Sequence, residues 1–217
     1  MTKNINRQFQ ELCKKGKLEE IKQFYFDNPT IDISANDECV FTIACVNKHL
    51  KVTKWLLKVK PDINISANNE IAFRYSCCYG DLKVAKWLLQ VKPDINISAD
   101  DEFAFRYSCS EGLLKVAKWL LEMKPNINIS ANNEWAFIYS CFYGRLKVAK
   151  WLLKVKPDIN ISANNNFAIR TYRLNSYLKV AKLLLRYKTQ NYYIFAKKNK
   201  IYNKKFYNKK QQIAKQI

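Results

Sequence analysis

The sequence predicts an all-α solenoid of about six stacked helix pairs with short projecting loops, followed by a basic C-terminal tail, and three observations carry this. The segment LKVTKWLL at residue 50 returns as LKVAKWLL at 82, 114 and 146 and as LKVAKLLL at 178, each start 32 residues after the last. All five prolines (Pro29, Pro61, Pro93, Pro125, Pro157) occupy one position of that period, and all four glycines (Gly16, Gly80, Gly112, Gly144) occupy another. A fixed period of about 20–50 residues marks a stack of supersecondary units, and confinement of Pro and Gly to two slots marks where the turns lie. A weaker copy, LEEIKQFY, begins at Leu18 in the same register. The array is therefore expected over 1–188, with units near 5–36, 37–68, 69–100, 101–132, 133–164 and 165–188, and the tail over 189–217.

Within each unit the first helical pattern is represented by EIAFRYSCCYG, residues 70–80, which puts Ile71, Phe73, Tyr75, Cys77 and Cys78 on apolar faces at helical spacing. Glycine then ends the helix from the C′ position, where a left-handed conformation is needed. The second pattern, LKVAKWLLQVK at 82–92, carries Leu82, Val84, Ala85, Trp87, Leu88, Leu89 and Val91 on a broad apolar arc, with Lys83, Lys86 and Gln90 elsewhere. It stops at Pro93, which cannot sit inside a helix. The following PDINISAD is rich in Asx with alternating Ile95 and Ile97, and reads as an extended turn or hairpin. Asn and Asp before Glu70, Glu102 and Glu134 are expected to cap the next helix, with each Glu at the positive end of its dipole.

Gly-x-Leu-x-Val-x-Lys-x-Leu-Leu followed by Asp-Ile-Asn resembles the second half of an ankyrin repeat, with Gly80, Leu82, Val84, Leu88, Leu89, Asp94 and Asn96 on the family's motif. The first half departs from it. Ile71-Ala72-Phe73-Arg74 stands where the family has Thr-Pro-Leu-His, Lys92-Pro93 stands where it has Gly-Ala, and the hairpin is one residue shorter and lacks its glycine. The variant with WLL, KPDINISANNE and YSC resembles the ankyrin-repeat proteins carried in many copies by giant DNA viruses of amoebae, of the mimivirus type. The resemblance spans roughly residues 5–188. It implies an ankyrin-type helix-turn-helix solenoid, concave on the side of the first helices and loops and convex on the side of the second. The outer units depart from the others, as the exposed ends of a stack require. Gln23 replaces the recurrent Trp in the first, and Arg173, Ser176 and Leu183 replace Cys, Gly and Trp in the last.

Composition narrows the function classes. Apolar residues make up 48% and charged residues 26% of the chain, ordinary for a folded protein. No run of about 18 apolar residues and no signal-peptide core is present, so an intracellular protein is expected, in the host cytoplasm if viral. The formal charge of +20 raises an anionic partner, nucleic acid or an acidic membrane. Codon composition alone also yields a chain heavy in Lys, Asn, Ile and Tyr. With no phosphate-binding glycine loop, a single histidine (His49) and no Ser/His/Asp grouping, no enzyme activity, cofactor or metal is expected.

Cys13, Cys45, Cys77, Cys109 and Cys141 share one repeat position and are read as a packing column, their neighbours a helix-to-helix distance apart and too far for disulfides. Cys39 and Cys78 lie outside it, and either is a candidate exposed thiol. Trp55, Trp87, Trp119 and Trp151 read as inter-repeat core. Trp135 shares its slot with Cys39, Ile71, Phe103 and Phe167 and reads as core with a partly exposed edge.

Because the repeats are nearly identical, the positions where they differ are informative. The pair before the glycine slot reads Val46-Asn47, Cys78-Tyr79, Ser110-Glu111, Phe142-Tyr143 and Leu174-Asn175, and Arg74, Arg106, Ile138 and Arg170 vary one turn earlier. The ankyrin resemblance implies that this pair faces the concave groove. The expected partner-binding set is therefore Asn47, Arg74, Cys78, Tyr79, Arg106, Ser110, Glu111, Ile138, Phe142, Tyr143, Arg170 and Asn175, in a monomeric scaffold for a host or viral protein. The alternative is electrostatic. Lys51, Lys83, Lys115, Lys147 and Lys179 form one column on the second helices, and Lys54, Lys86, Lys118, Lys150 and Lys182 another. The tail adds lysines between aromatics, including Lys197, Lys198, Lys204, Lys205, Lys209 and Lys210. Either set offers a polyanion, nucleic acid or anionic membrane, a row of counter-charges. A basic amphipathic helix, a strand-tracking segment and a disordered tail are all compatible with residues 189–217.

Overall fold

The computed structural model describes residues 2–164, 167–168, 179–180 and 182–187, and all of the regular structure among them is helical. The chain divides into two compact units, Met1–Ile129 and Ser130–Ile217. In the first unit the helices are α1 (Thr2–Lys15), α2 (Leu18–Asp27), α3 (Ala35–Val46), α4 (Leu50–Val59), α5 (Ala67–Cys78), α6 (Leu82–Val91), α7 (Ala99–Ser110) and α8 (Leu114–Met123). Odd-numbered helices are the first of each pair. They pack in succession, α1 on α3, α3 on α5 and α5 on α7, while each also packs on its own partner. The second unit contains the pair α9 (Ala131–Phe142) and α10 (Leu146–Val155), packed on each other, and a further helical stretch within 179–187.

The core is a set of columns at the 32-residue spacing. Phe9, Phe41, Phe73, Phe105 and Phe137 are fully buried, and so are the five column cysteines. Leu56, Leu88, Leu120 and Leu152 with Val52, Val84, Val116 and Val148 supply the second-helix side. A single helix of about ten residues is marginal in water, so each pair depends on burying this stripe against its neighbours. Ser76, Ser108 and Ser140 are buried without cost because each hydroxyl donates to the carbonyl four residues back, at 2.6–2.7 Å. Trp119 is buried, whereas Trp55, Trp87 and Trp151 are half-buried. Trp135 is half-buried, with its ring stacked on Tyr139.

The turn between paired helices is a Schellman motif. Asp81 N–H donates to Ser76 O at 2.9 Å and Gly80 N–H to Cys77 O at 3.0 Å, with Gly80 at φ +78°. The pattern returns after α3, where Lys48 takes the left-handed position at φ 66° and His49 N–H reaches Ala44 O. At Gly16 the glycine is required twice over, since φ is +73° and a Cβ would stand 2.3 Å from Nδ1 of His49.

The loop after each second helix is not a hairpin. Lys60-Pro61-Asp62-Ile63 closes one turn, Ile63 N–H on Lys60 O at 3.4 Å, and Asn64 to Ala67 closes a second at 3.0 Å. Proline fixes φ at the second residue of the first turn, and the Asn64 side chain accepts from Ser66 N–H in the second. The same two turns follow α6 and α10. They direct Ile63, Ile65, Ile95, Ile159 and Ile161 inward, which leaves no length of extended chain to pair as strands. In three of these loops lysine and aspartate flank the proline, and the hydrogen bond from Lys60, Lys92 or Lys156 holds Asp62, Asp94 or Asp158 below its ordinary pKa.

A correction concerns the start of the first helices. Asn68, Asn69 and Glu70 do not cap α5 but form a left-handed turn, φ/ψ 51/47°, 56/54° and 63/32°. Asp100, Asp101 and Glu102 repeat it in α7, and Asn132, Asn133 and Glu134 in α9. Asn and Asp tolerate this region best, and a residue such as Glu costs about 1–2 kcal/mol there. The turn survives because the glutamate is held by the next loop and, at Glu70 and Glu102, by a serine of its own loop as well. Glu70 accepts from Ser66 Oγ at 2.8 Å and from Asn96 N–H of the next loop at 3.2 Å. Glu102 accepts from Ser98 Oγ at 2.6 Å and Asn128 N–H at 3.1 Å, and Glu134 accepts from Asn160 N–H at 3.1 Å. All three are buried. They fasten one repeat to the loop of the next and are not solvent-facing dipole partners.

Candidate partner-binding face

The Schellman turns leave the residue just after a first helix, its C-cap, facing outward. Tyr79 is 48% exposed and Tyr143 43% exposed, each packed against the tyrosine one turn earlier. In the first unit Tyr79 lies 5.9 Å from Tyr75, Tyr75 lies 5.3 Å from Phe103, and Phe103 stacks on Tyr107 at 4.1 Å. In the second unit Trp135 stacks on Tyr139 at 4.3 Å, and Tyr139 lies 6.1 Å from both Tyr143 and Phe167. Phe142 packs edge-on to Tyr143 at 4.9 Å and stacks on Phe167 at 5.7 Å. Each unit thus carries a half-exposed aromatic row along its first helices. The column Tyr75, Tyr107, Tyr139 was absent from the expected binding set although its 32-residue spacing is plain in the sequence, because a recurrent tyrosine at helical spacing reads equally as core.

Five of the expected contact residues are buried, which corrects the expectation that they line a surface. Cys78 and Ile138 pack inward, and Ser110 is buried with its hydroxyl donating to Tyr107 O at 3.1 Å. Arg74 and Arg106 hold the left-handed turns. Arg74 donates to Asn68 O at 3.1 Å and to the Asp100 carboxylate, with its guanidinium 4.8 Å from the Phe103 ring centre. Arg106 donates to Asp101 O at 2.6 Å and Asp100 O at 3.0 Å, and lies 5.8 Å from the Tyr107 ring centre. A guanidinium spreads five donors in a plane, so one side chain can satisfy several carbonyls of an irregular turn while stacking on an aromatic ring. Asn47 is half-buried and donates to Ile43 O at 2.8 Å. Glu111 is exposed and Phe142 half-buried. Arg170 and Asn175 lie outside the described residues.

On the second helices both lysine columns are exposed throughout, from Lys51 and Lys54 to Lys179 and Lys182. The tail lysines Lys197, Lys198, Lys204, Lys205, Lys209 and Lys210 lie outside the described residues. The seven cysteines are free. Burial pushes the Cys13 thiol up to about 12 and Cys78 to about 11, and raises Cys45, Cys77, Cys109 and Cys141 as well. A thiol held neutral is a poor nucleophile, so Cys78 is not the exposed thiol that its place outside the column suggested. Cys39 is half-buried. Among the described residues no group of three or more His, Cys, Asp or Glu side chains is placed to hold a metal ion, and no helix is long and apolar enough to cross a membrane.

Residues 9–101 match the family model for ankyrin repeats, in three copies. No curated protein matches the chain. Ankyrin repeats are generally protein–protein interaction modules and typically non-enzymatic scaffolds. The match over residues 9–101, together with the recurring helix pairs, supports an ankyrin-repeat protein.

Proposed function

We propose that the chain is a non-enzymatic scaffold that captures a protein partner through the first helices of its units, with Tyr79 the principal anchor of the first unit and Tyr143 that of the second. The observation that carries this is their exposure at a position where otherwise near-identical repeats differ, each at the end of an aromatic row. Tyrosines with one apolar edge fixed by neighbours and a free hydroxyl make strong anchors, because little rotamer freedom is left to lose on binding. Asn47 and Glu111 accompany Tyr79 in the first unit and Phe142 accompanies Tyr143 in the second, while Arg74 and Arg106 act through the turns they hold. The KPDINISANNE variant resembles repeats of giant viruses of amoebae, so an amoebal lysate is the source in which to seek the partner.

The test is affinity capture with the full chain and with Tyr79→Ala and Tyr143→Ala, each checked for an unchanged thermal melt. A protein retained by the native chain and lost from either variant, a loss of at least about 2 kcal/mol, supports the reading. Equal capture by all three overturns it.

A second, electrostatic reading assigns the lysine columns to an anionic partner. In its favour, Lys51, Lys54, Lys83, Lys86, Lys115 and Lys118 are exposed, and none makes an ion pair among the described residues. Charges about 10 Å apart are only partly screened at physiological salt. Binding through them falls steeply as salt rises, and a flat salt dependence removes this reading.

A further inference from the structure

Between α6 and α8 the second-helix face carries an open groove walled by Lys86, Leu89 and Gln90 on one side and by Trp119 and Met123 on the other. The 32-residue register puts Lys54 and Leu57 of α4 opposite Trp87 and Val91 of α6 in the same relation. Met123 is 47% exposed and Val91 41% exposed, large apolar side chains that the fold leaves facing water at one repeated position. The lysine columns run beside these grooves, and Glu122 is the only acid on α4, α6 and α8. We infer that this face, distinct from the tyrosine row, binds an acidic polypeptide segment whose apolar side chains enter the Leu89/Met123 groove while its carboxylates meet the flanking lysines. The inference rests on the electrostatic reading and assigns its partner a chemical class.

Charge complementarity and groove chemistry together select this occupant. A single-stranded nucleic acid would use the lysines but gains much of its affinity from open aromatic faces on which its bases stack. Trp119 is buried, and the ammonium of Lys86 lies 5.9 Å from its ring centre. An anionic bilayer takes a broad row of apolar groups that protrude between cations, whereas here Met123 faces water beside a half-buried Leu89. A peptide with Leu or Met between Glu or Asp residues satisfies both parts, since apolar side chains seated in a groove add to the attraction of charges that would otherwise remain solvated.

The experiment uses the full chain and fluorescence anisotropy with four labelled probes. They are a peptide of alternating Glu and Leu pairs, an all-Glu peptide of equal length, a single-stranded oligonucleotide, and vesicles of phosphatidylserine in phosphatidylcholine. The Glu/Leu peptide is expected to bind at least about tenfold more tightly than all-Glu, equivalent to about 1.4 kcal/mol. Met123→Glu and Met123→Ser should each remove most of that advantage, and the double variant Lys86→Glu/Lys118→Glu should abolish binding of both peptides. Tyr79→Ala should leave all of this unchanged. Equal affinity for the two peptides, or no effect of either Met123 variant, overturns the groove assignment. Tighter binding of the oligonucleotide or the vesicles overturns the polypeptide assignment and leaves the electrostatic reading standing. If no anionic probe binds, both fall.

Discussion

In the unit Met1–Ile129 the first and second helices of each pair obey different rules. The second helices α4, α6 and α8 share LKV, a Lys and WLL, run as regular ten-residue helices, and end two residues before proline. Their boundaries follow from local chemistry, as at Asp81, whose carboxylate accepts from Lys83 N–H at 3.0 Å and Val84 N–H at 3.3 Å. The first helices α5 and α7 open with three left-handed residues, a conformation no local preference supplies for Glu70 or Glu102. Those residues are held by the loop of the following repeat. One helix of the pair is therefore encoded locally and the other by its neighbour, so stability and cooperativity should reside in the first helices while the second helices carry surface chemistry.

The sharpest way to break this comparison is to empty the first-helix core. Phe105→Ala removes a fully buried ring from the phenylalanine column and is expected to cost about 3–5 kcal/mol by urea denaturation. A loss below about 1 kcal/mol would show that the column does not hold the stack. Next in size, Glu102→Ala takes the acceptor from Ser98 and from Asn128, and should cost about 1–3 kcal/mol. Glu122→Ala, on an exposed second-helix position, should stay within about 0.5 kcal/mol. Equal effects at the two glutamates would erase the distinction.

Gly80→Ala places a Cβ at φ +78° and 3.0 Å from Leu113 Cδ2, and a thermal melt should report a loss of about 1–2 kcal/mol. The reciprocal change Lys48→Gly, at φ 66° in the same slot, should be neutral or stabilising. The smallest effect is on pH dependence. Burial raises the Cys78 pKa from 9.0 to about 11, so the unfolded chain loses that proton first as pH rises. Its stabilising contribution is complete below pH 9.0 and is lost between there and about 11. Cys78→Ser should accordingly show a shallower fall in stability than the native chain over that interval.

Much of the fold was legible because its punctuation is chemical. Proline lacks an N–H and glycine alone relaxes at positive φ, so their two slots mark helix ends wherever they recur. The cysteine column was legible for the same reason: residues at one repeat position pack alike. The candidate face was legible only in part. Tyr79 and Tyr143 stood out by variability, but Arg74 and Arg106 vary in the same way and are buried, because their partners, the carbonyls of Asn68, Asp100 and Asp101, exist only once the left-handed turn has formed. Variation at a position reports freedom from the repeat pattern, and that freedom belongs to surface residues and to residues matched to a particular neighbour alike.

Sequence alone determined the period, the helix pairs, the turn positions and the outward lysine columns, since each rests on backbone preference or on helical spacing of apolar side chains. Tertiary structure decided the left-handed entry to α5, α7 and α9 and the burial of Glu70, Glu102 and Glu134. In each of those cases the deciding hydrogen bond joins residues about one repeat apart, such as Glu70 to Asn96, and only packing of adjacent repeats brings such groups within reach.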